Sequence, residues 1–324
     1  LRRQRQMCIR DSSYPVQLKS GAAFVLNGGS ITSTKGAAVD IYTSAENVLV
    51  EINGGAVNAA SSDNAIGVRG KANVVVNING GKITTGSNNR LAMYISGDKE
   101  DSIQVNITSG EITSNGQTIQ AYSGAEINIS GDAVISSATG TAISTQSGYG
   151  VVELNVTGGT IKTEGARAYA VYARESSDVN ISGGAVSGGY GLRASDSADV
   201  AVSGGTVEGS ISAISVSDSA NVTVTGGAFN KDVSGYIDSS AAVAEFSAEG
   251  KKTYVVGDTI AEKAAEAAAG TEINVTKGSV ALTDVSTDVK VKNTGDAEVT
   301  VNGVDVPDDG TVVSACDHAL TDVA

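Results

Sequence analysis

Val50-Glu51-Ile52-Asn53-Gly54-Gly55-Ala56-Val57 is one copy of a unit that the chain writes again and again. The same beat returns at 76–83, 154–161, 179–186, 200–207 and 222–229, with looser copies at 24–31, 105–112 and 127–134. The first turn position falls at Gly28, Gly54, Gly80, Ser109, Gly131, Gly158, Gly183, Gly204 and Gly226, so nine copies follow at spacings of 26, 26, 29, 22, 27, 25, 21 and 22 residues. A period of about 20–30 residues marks a supersecondary unit stacked on its own copies, each covering the apolar face of the next.

The period inside the copy tells which unit this is. Val50 and Ile52 face one way and Glu51 the other, and Val179 and Ile181 alternate with Asn180 in the same manner. That is strand periodicity, closed by a two-glycine turn. A second short strand follows (56–58, 82–84, 160–162), then a variable turn and a third strand, as in Ala65-Ile66-Gly67-Val68-Arg69, Ala170-Val171-Tyr172-Ala173-Arg174 and Gly191-Leu192-Arg193-Ala194-Ser195. Three short strands per turn predict an all-β fold, a right-handed parallel β-helix of about nine three-strand coils stacked about 4.8 Å apart. The open sheet edges at the ends of such a stack need capping. Ile52, Ile78, Ile107, Ile129, Val156, Ile181, Val202 and Val224 are expected to form one buried column.

Composition agrees. Forty glycines, two prolines and no tryptophan describe short strands joined by tight turns, and proline cannot donate to a sheet ladder. With 40% hydrophobic residues in register, the chain has the means to bury a continuous core, which argues against disorder. Residues 1–12 stand apart. Met7-Cys8-Ile9-Arg10-Asp11-Ser12 looks like a translated transposon-end sequencing adapter, and the dodecamer is read as an assembly scar, with a basic nucleic-acid arm as the alternative. It holds four of the 22 basic and one of the 36 acidic residues, so without it the formal net charge goes from −14 to −17. Such acidity argues against nucleic acid as a partner and favours association with cations. No apolar run is long enough for a membrane span.

The expected organisation is a scar and linker over 1–20, the β-helix over 21–246, a small α+β segment over 247–313 and the start of a further repeat over 314–324. The one expected helix runs over 258–269, capped by Asp258 or Thr259 and stopped by Gly270. The segment as a whole reads either as a cap on the β-helix or as the start of a second one. The terminal Cys316-Asp317-His318 holds too few ligands for a metal site, and the chain is expected to be cut at both ends. Asn-x-Ser/Thr triplets at Asn106, Asn128, Asn155, Asn180 and Asn221 read as glycosylation acceptors or as a by-product of a polar–apolar–polar strand entering a turn.

The register changes after Phe229. Gly226-Gly227-Ala228-Phe229, with Asp232 and Tyr236 downstream and Tyr254-Val255-Val256 beyond, resembles the coil-ending junction of large repeat-rich surface proteins of gut Gram-positive bacteria. The resemblance implies an extracellular, cell-wall-associated protein and implies no reaction. The repeat also resembles the parallel β-helices of pectate lyases and polygalacturonases, so a polysaccharide lyase or glycoside hydrolase is the alternative. The lone histidine, His318, lies outside the repeats, and Gly-His-Gly, Asn-Thr-Asp and Arg-Ile-Lys triplets are missing. Fold alone does not warrant activity.

Stacking turns sequence positions into columns. One outward column on the first strand holds Gln104, Glu126, Glu153, Asp178, Asp199 and Asn221; two positions along, Asn77, Asn106, Asn128, Asn155 and Asn180 form another. Like charges one coil apart repel. Glu126, Glu153, Asp178 and Asp199 are therefore a candidate calcium site, on the sheet where pectate-lyase-like enzymes hold calcium and substrate, or else a solvated acidic face beside an amide ladder. On the third strand, Tyr94, Tyr172 and Arg193 share one outward column and Tyr122 and Arg174 the next. Flat rings among arginines are a candidate ligand face for polysaccharide or host-surface glycans, or else a side-chain stack serving the sheet alone. These features predict a non-catalytic surface protein, a spacer or adhesin-like glycan binder.

Overall fold

The structure, a computed structural model, describes residues 14–60, 63–86, 91–97, 103–146, 150–286, 288–295, 298–314 and 320–322. The 1–12 stretch, Cys316 and His318 lie outside the described residues. The chain is nearly all β, a parallel β-solenoid of about eight turns. It divides into two compact units, 1–200 with 208–222, and 201–207 with 223–324.

In the first unit each coil runs through the same three sheets. The first sheet stacks Ala23–Leu26, Glu46–Ile52, the opening halves of Ala72–Thr85 and Ile103–Ser114, then Ala125–Ile129, Val152–Val156 and Asp178–Ile181, all parallel. The second stacks Ser30–Ser33, Ala56–Ala59, the closing halves of the two long strands, Val134–Ser137, Thr160–Thr163 and the start of Ala185–Ala194. The third stacks Val39–Ile41, Ile66–Arg69, Met93–Ser96, Ile119–Tyr122, Ile143–Gln146, Tyr169–Ala173 and the end of Ala185–Ala194. This third sheet begins before the first copy of the motif, because Val16–Leu18 already lies parallel to Val39–Ile41.

Alternation explains the burial. Ile52, Ile78, Ile107, Ile129, Val156, Ile181, Val202 and Val224 are all at most 1% exposed, as the period-2 pattern requires. The paired glycines have separate causes. Gly184 has φ +78°, the left-handed region that side chains avoid. Gly183 is needed for space: a Cβ there would sit 2.3 Å from the Thr157 carbonyl oxygen of the coil before. Where the first position is Ser109, Gly110 keeps the left-handed turn at φ +95°. At the second corner Ser114, Ser137 and Thr163 are buried in register and donate to the carbonyls of Gly116, Gly116 and Gly140, which satisfies turn backbone that would otherwise be buried unpaired.

The second unit changes hydrogen-bonding direction. Gly227–Phe229, at the end of Asn221–Phe229, pairs antiparallel with the end of Lys251–Val256, and Val243–Ala248 pairs antiparallel with both Lys251–Val256 and Glu272–Lys277. Parallel pairing then returns, Glu272–Lys277 with Lys290–Asn293 and Val280–Leu282 with Val299–Val301. The helix is Thr259–Ala265, shorter than the 258–269 read from composition. Ile260 and Ala264 are its buried side, against a core that includes Val255, Ile273, Leu282 and Val291. Past Glu266 the chain leaves the helical path, and the Gly270 N–H donates to the Asp288 carbonyl at 2.9 Å rather than to a helical one. Asp258 makes no side-chain cap, whereas Thr259 Oγ1 accepts the buried Gly227 N–H at 3.0 Å. Among the described residues no helix is long and apolar enough to cross a membrane.

Candidate functional site

Two faces of the first unit carry the residues singled out from the sequence. On the first sheet the acidic column is in register: Gln104 pairs with Glu126, Glu126 with Glu153 and Glu153 with Asp178. Amides close both of its ends. Gln104 Nε2 donates to Glu126 Oε2 at 3.1 Å, and Asn221 Nδ2 donates to Asp199 Oδ1 at 3.1 Å. Beside it runs the asparagine column. Asn106 donates to Asn77 at 2.9 Å, Asn128 to Asn106 at 3.1 Å, Asn155 to Asn128 at 3.1 Å and Asn180 to Asn155 at 3.0 Å. Each amide has two N–H groups, and two of these residues use the second sideways: Asn128 reaches Glu126 Oε1 and Asn155 reaches Glu153 Oε1, both at 2.9 Å. The amide ladder therefore also hydrogen-bonds part of the acid ladder.

Asp178 is the next carboxylate in the line, and it sits above the ordinary aspartate range. Partial burial is the main cause, with the charges of Asp199 and Glu153 adding to it. Glu126, Glu153, Asp178 and Asp199 thus follow one another as a line along the sheet. A calcium site needs six to eight oxygens converging on one point. Among the described residues no group of three or more His, Cys, Asp or Glu side chains is gathered to hold a metal ion. A groove of about 430 Å³ opens at the upper end of this line, bounded by Val75, Ile103, Gln104, Glu126, Val151 and Glu153. The amides of the five glycosylation triplets are all engaged, four in the ladder and Asn221 on Asp199.

The third sheet is organised differently. Tyr94 lies beneath Arg69, whose guanidinium is 5.4 Å from the ring centre and pairs with the buried Asp40 carboxylate at 2.9 Å. Gly67 makes room for that pair, since a Cβ there would lie 2.9 Å from Asp40 Oδ1. Burial pushes the Asp40 carboxyl up and Arg69 draws it partly back. Tyr122 lies between Ser96 and Gln146 in its own column. Tyr94 and Tyr122 are therefore separate from the third expected tyrosine. Gln120 and Ser144 lie between Tyr94 and Tyr172, which puts these two about 14 Å apart along the stack.

Tyr172, Arg174 and Arg193 do come together, and two further tyrosines join them. Tyr169 pairs in register with Tyr190. The Tyr169 ring lies 4.8 Å from Tyr172 and 5.2 Å from Tyr190, tilted 47° and 43°. Arg193 sits 5.6 Å from the Tyr169 ring and 5.8 Å from that of Tyr172, and its two terminal nitrogens donate to Ser215 and Ser217 at 3.1 Å each. Arg174 lies over Tyr172 at 5.2 Å. Its Nε is buried with no hydrogen-bond partner, a state that costs about 1–3 kcal/mol when nothing satisfies the donor. Burial alone pushes the Tyr172 phenol up, but hydrogen bonding to Ser195 and Arg193 and the charges of both arginines outweigh it, so the phenol lies below its ordinary value. Tyr169 and Tyr190 were not legible from alternation, because each stands two residues before a buried strand centre, Val171 or Leu192, where period 2 would turn it inward.

Three half-buried rings, with Tyr169 inclined to both of the others, and two guanidiniums make one amphipathic cluster. Compared with protein-family models, with curated proteins and with solved structures, the chain matches none.

Proposed function

We propose that this chain is part of a non-catalytic extracellular surface protein, a rigid spacer that also binds glycans weakly through one face. The observation that carries the reading is the cluster of Tyr169, Tyr172 and Tyr190 with Arg174 and Arg193. Sugar rings present C–H faces that stack on aromatic rings and hydroxyls that meet guanidinium donors. Each such contact is worth of order 1 kcal/mol, so useful retention comes from many copies on one surface. The amide ladder supports the spacer half of the reading, because it ties successive coils together by side chains as well as by backbone.

The test is a panel of immobilised polysaccharides and mucins. Wild type is compared with a variant in which Tyr169, Tyr172 and Tyr190 are alanine and with a second in which Tyr94 and Tyr122 are alanine. The reading expects retention of wild type and of the second variant, and loss in the first. Equal passage of all three leaves a plain spacer. A polysaccharide lyase or hydrolase remains the second reading, favoured by the groove that Glu126 and Glu153 share. Release of unsaturated or reducing sugar ends by wild type, and not by Glu126→Gln with Glu153→Gln, would establish it in place of the first.

A further inference from the structure

The two arginines of the tyrosine cluster are not equivalent. Arg193 is tied into the fold: both of its terminal nitrogens donate to serine hydroxyls, Ser215 and Ser217, while its face covers two rings. Arg174 is held only by its face. Its guanidinium rests over Tyr172, its Nε is buried without a partner, and none of the ion pairs among the described residues includes it. Two carboxylates of the adjoining turns accept other donors. Asp196 accepts the Glu175 N–H at 3.3 Å and the Ser195 hydroxyl at 2.9 Å, and Asp218 accepts the Ser217 hydroxyl at 2.9 Å. With Nε buried, the two terminal nitrogens are the edge a ligand can meet, and as a planar pair they can take a carboxylate through two parallel hydrogen bonds.

We propose that Arg174 is the anion-recognising group of this cluster and that its ligand is a carboxylated sugar, a uronic or sialic acid residue within a glycan. The inference rests on the glycan-binding reading above and adds the ligand class. The tyrosine surface that the arginines leave uncovered takes the apolar side of the sugar, Arg174 takes the carboxylate, and Arg193 positions the rings without touching the ligand. Net charge works against any polyanion at long range, so binding strengthens as salt screens that repulsion. At 0.15 M the screening length is about 8 Å, which spares a direct contact.

Affinity electrophoresis at 0.15 M salt through gels holding polygalacturonate, its methyl ester, polysialic acid, dextran sulfate or neutral galactan tests this. Wild type is expected to be retarded by polygalacturonate or polysialic acid, whichever sugar acid the cluster fits, and not by the methyl ester. Arg174→Gln should weaken that retardation about 10-fold or more, the loss of one charge-assisted bidentate contact. Arg174→Lys should restore only part of it, and the melting temperature of both variants should stay at the wild-type value. Retardation by the methyl ester equal to that by the acid, unchanged in Arg174→Gln but lost in the triple tyrosine variant, would overturn the assignment of Arg174 and leave the glycan-binding reading intact. Arg174-dependent retardation of equal strength on dextran sulfate would overturn the carboxylate class. Passage of wild type through every gel would remove both readings.

Discussion

The first-sheet face and the third-sheet face of the first unit stand on the same parallel ladder and differ in what their side chains leave over. On the first face, identical residues recur at one position, so each asparagine meets another asparagine and each glutamate has an amide beside it. Donors and acceptors match along the line, and the face closes on itself. On the third face the occupants of a column change from rung to rung: Asp40, Gly67, Tyr94, Gln120, Ser144, Tyr172, Arg193. The neighbours in such a column differ in size and charge, and in the adjoining column the buried Nε of Arg174 has no hydrogen-bond partner. The first face is matched side chain to side chain where its sequence repeats, and the third face varies where the repeat lapses.

That contrast can be broken at several levels. The largest effect should come from what both faces share. Ile129→Asp buries an unpaired charge inside the common core and should cost about 3 kcal/mol or more in urea denaturation. A cost below about 1 kcal/mol would mean that the column is not a continuous core. Next comes the amide ladder. Asn128→Ala removes bonds to Asn106, Asn155 and Glu126 together and should cost about 2 kcal/mol, against about 0.5 kcal/mol for Asn180→Ala, which donates to Asn155 alone. Equal costs would say that the ladder adds no cooperativity to the stack.

The two arginines come third. Arg193→Gln should cost about 1 kcal/mol because two serine contacts and the ring packing go with it, whereas Arg174→Gln should stay within about 0.5 kcal/mol. Reversed magnitudes would remove the division of labour between them. The smallest effect is electrostatic. Asp178 binds its proton more tightly in the folded chain than an ordinary aspartate of pKa 3.8 does. Its contribution to stability therefore rises as pH falls from its raised folded value towards 3.8, and is unfavourable above that window. Asp178→Asn should raise stability at pH 7 by a few tenths of a kcal/mol, after allowing for solvent screening, and flatten that part of the pH profile. Millimolar calcium should shift the wild-type melting temperature no more than magnesium does. A calcium-specific rise that Glu153→Gln with Asp178→Asn abolishes would instead place a cation on the line.

The solenoid was legible in the sequence because its two periods are rigid. Alternation in 50–57 and its copies sends Ile52 and its counterparts inward, and the left-handed glycine after each strand starts the next strand at the same place. Once the turn is fixed, register has no freedom left, which is why Gln104, Glu126, Glu153 and Asp178 could be aligned by counting. The helix was legible in kind and not in length, since alanine-rich composition favours a helix without saying where the Gly270 N–H will find its carbonyl.

The cluster was legible only in part. Tyr172, Arg174 and Arg193 follow from the third-strand pattern, but Tyr169 and Tyr190 stand at the strand's entry, where turn lengths vary and register cannot be counted from the glycines. By itself, then, the sequence determined the coil, the columns and which residues face outward, because those depend on backbone periodicity alone. Only the tertiary structure decided which donors each column leaves engaged or unengaged. That depends on rotamers and on distances of a few ångströms between neighbouring coils, such as those that give Arg193 two serines and leave the buried Nε of Arg174 with none.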